Sequence, residues 1–100
     1  MSVVMIMRWP GVSLDQYEEA RKLVGWEREH PDGGRFHVAT HDGTALRVID
    51  LWDSAEQFQQ FAEQRLMPGV APLNMPGEPE VEIYPVYALF TPGYSVPGTQ

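Results

Sequence analysis

The hydrophobic and polar positions of the chain predict strands and helices in a definite order. A run rich in Met and β-branched residues, from Ser2 to Arg8, ends at Trp9-Pro10-Gly11 and predicts a buried strand that leads into a turn. Ser13 is placed to cap a helix, because Gln16 three residues later can bond back to the Ser13 amide. We expect this helix to end near Glu29, ahead of a proline. Its apolar residues recur at helical spacing and are Leu14, Tyr17, Ala20, Leu23 and Val24.

The next segments predict a hairpin, a second helix and a fourth strand. Asp42-Gly43 favours a two-residue turn, and it separates two strand-like runs at residues 35–41 and 44–52. Residues 67–80 hold four prolines and two glycines and predict a loop, and alternation over residues 80–89 predicts the last strand. Between these segments, Asp53 or Ser54 caps a helix whose apolar face is Ala55, Phe58, Phe61, Ala62 and Leu66.

The resulting order β-α-β-β-α-β is the split βαβ pattern of ferredoxin-like α+β folds with an antiparallel sheet. We expect residues 1–90 to form one domain and residues 91–100 to form a loosely held C-terminal tail. Two helices cover only one face of a four-stranded sheet. The other face must therefore contact solvent, a partner or a ligand.

The hairpin register predicts which side chains share a face of the sheet. With Asp42-Gly43 as the turn, His37 lies opposite Val48 and Arg35 lies opposite Asp50, and opposed residues point to the same side. We interpret the face with His37 as the lining of a closed cavity between two sheets packed face to face in a homodimer, and the other as the helix-covered core. The first set is Arg35, His37, Ala39, Leu46, Val48, Asp50 and Trp52; the second is Phe36, Val38, Thr40, Ala45, Arg47, Ile49 and Leu51.

Composition and charge narrow the range of partners. Seven basic residues against 14 acidic residues give a net charge of −7, which argues against nucleic acid and against anionic membranes as partners. The absence of cysteine excludes disulfides, thiolate zinc sites and cysteine nucleophiles. The apolar run at residues 3–7 is shorter than a membrane span or a secretory signal. We therefore expect a cytoplasmic protein. The partner that the predicted cavity face indicates is a hydrophobic small molecule.

Two residues of the predicted cavity are candidates for catalysis. His37 could act as an acid or base, because an imidazole ordinarily titrates near neutral pH. Asp50 is an interior carboxylate, which is costly to bury unless it is paired. Pairing with His37 would orient an activated base, whereas pairing with Arg35 would be a structural bridge near the rim. A buried His37 that is merely satisfied by a neighbouring group is the structural alternative.

Other residues are predicted to bind the ligand. Trp52 could stack on an aromatic ligand or fill the junction between sheet and helix. Tyr87, on the predicted fourth strand, could enter the cavity and hydrogen-bond a ligand oxygen. The remaining predicted binding residues are Arg35, Leu46 and Val48.

Tyr17 and Trp26 are interpreted as packing residues of the first helix. No metal site is expected, since His37 and His41 lie about 13 Å apart along one strand.

The segment from Gly34 through Asp42-Gly43 to Ser54 resembles the dimeric α+β barrel superfamily. Its run Val-Ile-Asp-Leu-Trp-Asp-Ser at residues 48–54 is similar to the strand-to-helix junction of that superfamily. The resemblance covers roughly residues 2–90 and implies a ferredoxin-like fold in a homodimer. Members include antibiotic biosynthesis monooxygenases, which oxidise phenolic substrates without a metal or flavin, haem-degrading monooxygenases, isomerases and cyclases.

The resemblance also bears on function. It implies a substrate-facing role for Trp52, which matches an active-site Trp of both monooxygenase groups. Those groups tend to use an Asn on the first strand, whereas the only Asn here is Asn74, and the His of the haem degraders is absent between Ser54 and Leu66. Haem chemistry is therefore disfavoured, and an oxygenase assignment is weakened.

Together with the predicted cavity face, the resemblance implies a cofactor-independent enzyme of natural-product biosynthesis, acting on a hydrophobic, aromatic or polyketide-like molecule. It would be monooxygenase-like, or a proton-transfer isomerase or cyclase. A non-catalytic binding protein or a dimerisation module is the alternative.

Overall fold

The computed structural model describes residues 1–94. The strands are β1 (Val3–Pro10), β2 (Gly34–His41), β3 (Ala45–Trp52) and β4 (Glu80–Pro85), and the two main helices are α1 (Leu14–Val24) and α2 (Ala55–Phe61). After α2 the chain stays helical through a π turn (Ala62–Leu66), a short helix α3 (Met67–Val70) and a 3₁₀ turn (Ala71–Leu73). The strands form one antiparallel sheet in the order β2-β3-β1-β4. The predicted α+β fold is confirmed; of the predicted tail, residues 95–100 lie outside the described residues.

Helix α1 begins as predicted and ends earlier. The Gln16 amide donates to the Ser13 hydroxyl at 3.1 Å, and the Ser13 amide donates to the Gln16 side chain at 2.9 Å, so the capping box is formed. The predicted end near Glu29 is wrong, because Gly25 adopts a left-handed conformation (φ 70°) and its amide bonds the Arg21 carbonyl. The early end lets the chain turn back, which brings Trp26 beside β2.

The helical region after α2 extends into the segment that was predicted to be a loop. Pro68 has no amide hydrogen, and its ring would crowd the carbonyl four residues earlier in a regular α-helix. The wider π turn, in which the Met67 amide bonds the Ala62 carbonyl, avoids this conflict and lets α3 begin with Pro68 in its first turn. Phe61 and Leu66 consequently both face the sheet, where they line a cavity.

The β2–β3 hairpin is shifted by two residues from its predicted register. The Asp42 carboxylate accepts hydrogen bonds from the amides of Thr44 (2.8 Å) and Ala45 (2.9 Å), which places Gly43 and Thr44 at the centre of the turn. His37 therefore lies directly opposite Asp50. Because a shift of two residues keeps the alternation, the two predicted sets of residues still point to opposite faces.

The face that the helices cover is the opposite of the predicted one. The buried residues of β3 include Leu46, Val48, Asp50 and Trp52, whereas Phe36, Val38 and Ile49 are about 40% exposed (39%, 42% and 40%). The hairpin alone could not show this, because both of its faces carry apolar side chains. Strand β1 decides which face is covered. Its residues Val3, Met5, Met7 and Trp9 align, in that order, with Trp52, Asp50, Val48 and Leu46 of β3. Together these side chains make one continuous large face that is apolar except for Asp50.

Strand β4 is shorter than predicted. It ends at Pro85, which pairs with Val3 at the start of β1, and the Val86 amide makes a last bond to the Ser2 carbonyl. Beyond this bond the chain leaves the sheet, and Tyr87 is fully exposed.

No helix within residues 1–94 has the length and apolar character that crossing a membrane requires.

Candidate functional site

A cavity of about 310 Å³ lies between the covered face of the sheet and the helices. Its floor is formed by strand residues such as Met5, Met7 and Val48, and its roof includes Phe58 and Phe61 of α2. This volume lies at the lower end of the range for small-molecule sites, which are typically apolar with a few polar groups. The cavity therefore lies within one chain, between sheet and helices, and the prediction of a cavity enclosed by two sheets is wrong.

The polar centre of the cavity is an imidazole–carboxylate pair. His37 Nδ1 lies 2.7 Å from Asp50 Oδ1, and the Asp50 side chain is only 10% exposed. The second oxygen, Asp50 Oδ2, accepts a hydrogen bond from the Trp52 indole at 3.1 Å. Both carboxylate oxygens thus have donors, which is what a buried charge requires. Because a carboxylate has no hydrogen to donate, Nδ1 must supply the hydrogen of this contact, so the lone pair of the neutral imidazole is on Nε2.

The second imidazole nitrogen is bound by a helix residue. The Tyr17 hydroxyl lies 2.8 Å from His37 Nε2. Burial raises the pKa of the Tyr17 hydroxyl above its ordinary value, although the charge of Arg21 acts in the opposite direction. The phenol is therefore protonated at neutral pH and donates to Nε2. This completes a chain of hydrogen bonds from Tyr17 through His37 and Asp50 to Trp52.

Aromatic rings surround this chain of hydrogen bonds. The Trp26 ring is centred 5.3 Å from the His37 ring and 5.8 Å from the Tyr17 ring. Trp52 packs against Phe58 and Phe61, with 5.5 Å between ring centres in each pair. The His37 side chain is nevertheless 34% exposed, so part of the imidazole is open to solvent.

Arg35 has a different partner from the predicted one. An irregularity between Gly34 and Phe36 turns Arg35 towards Asp53, and its Nε and Nη2 donate to the two Asp53 oxygens at 2.9 and 2.8 Å. These bonds hold the pKa of the Asp53 carboxyl below its usual range. The predicted alternative of an Arg35–Asp50 bridge is therefore wrong, and Asp50 pairs with His37.

The other predicted site residues differ in whether they line the cavity. Leu46, Val48 and Trp52 line the same cavity as His37, Asp50 and Arg35, and Tyr87 does not reach it. The placement of Tyr87 in the cavity is wrong because β4 ends before it. The sequence reasoning also missed Tyr17 and Trp26 as cavity residues. The available signal was the Tyr17 hydroxyl within an otherwise apolar helix stripe, since a buried hydroxyl needs a partner.

The comparisons with known proteins bear on this geometry. No protein-family model matches the sequence, and no curated protein matches it. Among solved structures, the cofactor-independent oxygenase SnoaB from Streptomyces nogalater superposes with a TM-score of 0.65 at 15% identity, over 93% of this chain and 98% of that chain. The monooxygenase from the gene ActVA-Orf6 of Streptomyces coelicolor, in complex with the ligand nanaomycin D, superposes with a TM-score of 0.62 at 19% identity, over 91% and 92%. This chain has the fold of antibiotic biosynthesis monooxygenase-like proteins.

The same fold also occurs in a protein of unknown function. NE2512 from Nitrosomonas europaea superposes with a TM-score of 0.66 at 14% identity, over 93% of this chain and 96% of that chain. At such identities the likeness establishes the fold alone. The predicted resemblance is confirmed at that level.

Proposed function

We propose that this chain is a cofactor-independent enzyme that removes a proton from a hydrophobic, aromatic or polyketide-like molecule bound between its sheet and its helices. One observation carries the proposal: the His37 imidazole is held by a buried carboxylate at 2.7 Å inside a mostly apolar cavity. An oriented imidazole of this kind is the usual arrangement of a general base.

The charges of the site support uptake of a proton. When His37 becomes an imidazolium, the Asp50 carboxylate beside it stabilises the new positive charge. The Trp52 indole holds the carboxylate in place. Arg35 is engaged with Asp53, so its charge is already neutralised at the edge of the cavity. The substrate anion would then be stabilised by the imidazolium.

Among the reactions that can follow this proton removal, we propose oxidation by O₂. A carbanion formed by proton removal would bond to O₂ and give a hydroperoxide, which loses water to leave a carbonyl group. One O₂ is consumed, one oxygen atom enters the substrate and the other leaves as water. The support is the shared fold with SnoaB, described as a cofactor-independent oxygenase, and with the monooxygenase that holds nanaomycin D. An isomerase or cyclase would use the same first step without O₂.

Anthrone is a suitable probe, because its central CH₂ group is acidic and its reaction with O₂ gives anthraquinone and water. The wild-type chain is expected to accelerate the appearance of anthraquinone in air. Asp50→Asn is expected to lower that rate by about 10²-fold. The amide NH₂ group can donate to Nδ1 and so favours the tautomer with its hydrogen on Nε2, which leaves no lone pair on Nε2 to accept a proton. Absorbance of the quinone measures the rate.

Asp15→Asn, in the first turn of α1, is the matched control and should retain the wild-type rate. Equal rates for Asp50→Asn and wild type would contradict the proposal. Anthrone that quenches tryptophan fluorescence and is recovered unchanged would identify a non-catalytic binding protein instead.

We also propose that the uncovered face of the sheet binds a second copy of the chain. Phe36, Val38, Ile49 and Tyr84 are 39–51% exposed there, which is an unusual amount of apolar surface for an isolated domain. Two antiparallel sheets can bury such faces against each other. The dimer is supported by this exposed face rather than by a need to close the cavity.

Ile49→Glu tests the dimer. The wild-type chain is expected to have twice the 11.3 kDa mass of one copy in native mass spectrometry. Because a carboxylate would be buried without a partner, the substitution is expected to raise the dissociation constant at least about 100-fold. Leu23→Glu, at an exposed position of α1, is the control and should remain dimeric. A monomeric wild type would contradict this proposal and leave the enzyme proposal unchanged.

A further inference from the structure

Both nitrogens of the His37 imidazole are already occupied. Nδ1 bonds Asp50 at 2.7 Å, and Nε2 bonds the Tyr17 hydroxyl at 2.8 Å. The tilted Trp26 ring, centred 5.3 Å away, packs beside the imidazole. A substrate therefore reaches the lone pair of Nε2 only by displacing the Tyr17 hydroxyl, and Tyr17 is itself one of the residues that line the cavity.

We infer that Tyr17 is a further catalytic residue, whose hydroxyl accepts the proton of the substrate while it passes its own proton to His37. The inference rests on the function proposed above. It extends that function by making Tyr17 the group that touches the reacting atom, with His37 as the final proton acceptor behind it.

The proton transfer balances. The bond between the substrate and its acidic hydrogen breaks, and a new O–H bond forms on Tyr17. At the same time, the original Tyr17 O–H bond breaks and an Nε2–H bond forms on His37. The electron pair stays on the substrate, which becomes an anion, and the positive imidazolium is stabilised by Asp50. Tyr17 is neutral before and after the step.

The environment of Tyr17 explains why it needs His37. Burial raises the pKa of its hydroxyl, so a free phenolate does not form near neutral pH. A neutral phenol becomes an effective base only if its own proton leaves in the same event. The 2.8 Å contact with Nε2 is within the distance that general acid–base transfer requires.

The tautomer of His37 tests the direction of this relay without any substrate. A long-range ¹H–¹⁵N correlation spectrum at alkaline pH is expected to show hydrogen on Nδ1 of His37 and none on Nε2. His41 is the internal control: its Nδ1 accepts from the Gly43 amide at 3.0 Å and its Nε2 contacts the Val12 carbonyl at 2.7 Å, so the hydrogen should be on Nε2. Hydrogen on Nε2 of His37 would make Tyr17 an acceptor and overturn the inference.

Tyr17→Phe tests the relay in catalysis. With anthrone in air, kcat is expected to fall about 10²-fold with KM changed less than about twofold, because the ring is kept and only the proton path is lost. Tyr87→Phe, at a fully exposed position outside the cavity, makes the same chemical change and should keep the wild-type kcat.

The outcomes separate the two proposals. An active wild type with an equally active or faster Tyr17→Phe variant would show that His37 acts directly. That result would overturn the role of Tyr17 and leave the proposed function standing. A wild type without turnover would remove the proposed function and this inference together.

Discussion

His37→Gln is expected to lower the rate of anthrone oxidation by about 10⁴-fold, the upper end of what general acid–base catalysis contributes. The glutamine amide can still hydrogen-bond Asp50 and Tyr17, but an amide does not take up a proton near neutral pH. Since the His37 side chain is one-third exposed at the cavity wall (34%), the fold should tolerate the substitution. The rate is measured from anthraquinone absorbance, alongside the thermal unfolding midpoint.

His41→Gln provides the control for this loss. His41 bonds the Val12 carbonyl and the Gly43 amide near the hairpin turn and is not among the residues that line the cavity. Its replacement should leave the rate within about twofold of wild type. A His37→Gln variant that turns over as fast as His41→Gln would remove His37 from the reaction.

Trp52→Ala is expected to destabilise the chain by about 3–5 kcal/mol, which is the usual cost of deleting a buried tryptophan. Trp52 is 3% exposed and packs against Phe58 and Phe61 between sheet and helix. Its loss also leaves Asp50 Oδ2 without its donor, which adds to the cost. Urea unfolding followed by far-UV circular dichroism measures the change.

Trp52→Phe separates the two contributions. It keeps an aromatic ring between sheet and helix but removes the indole N–H that bonds Asp50, so about 1–3 kcal/mol should be lost. An alanine variant within about 1 kcal/mol of wild type would contradict the placement of Trp52 in the core.

Local signals in the sequence were sufficient for most of the fold. Ser13 and Gln16 mark the start of α1 because a capping box depends only on residues three positions apart. The two faces of the hairpin follow from alternation, which survives a register error of two residues. Gly25 was missed as the end of α1, because an apolar stripe does not show where a glycine adopts a left-handed conformation.

The other predictions that were wrong or incomplete concern features that depend on distant parts of the chain. Which face is covered depends on β1, whose Met5 and Met7 align with the hairpin only after the sheet has formed. Tyr87 was misplaced because the length of β4 is set by where its neighbour β1 begins. His37 and Asp50 could be found because they share a face of one hairpin, whereas Tyr17 reaches His37 from a helix twenty residues away in sequence. Such a contact depends on tertiary packing, and the helical stripe that contains Tyr17 does not show which group its hydroxyl bonds.

Hydrogen exchange measures most directly whether this cavity removes a proton from an aromatic ligand. In D₂O under argon, where no oxidation can occur, the wild-type chain is expected to speed deuterium incorporation at the central carbon of anthrone. His37→Gln should exchange no faster than buffer, as followed by mass spectrometry. A wild-type chain that binds anthrone but leaves its exchange at the buffer rate would show that the cavity does not remove a proton from its ligand.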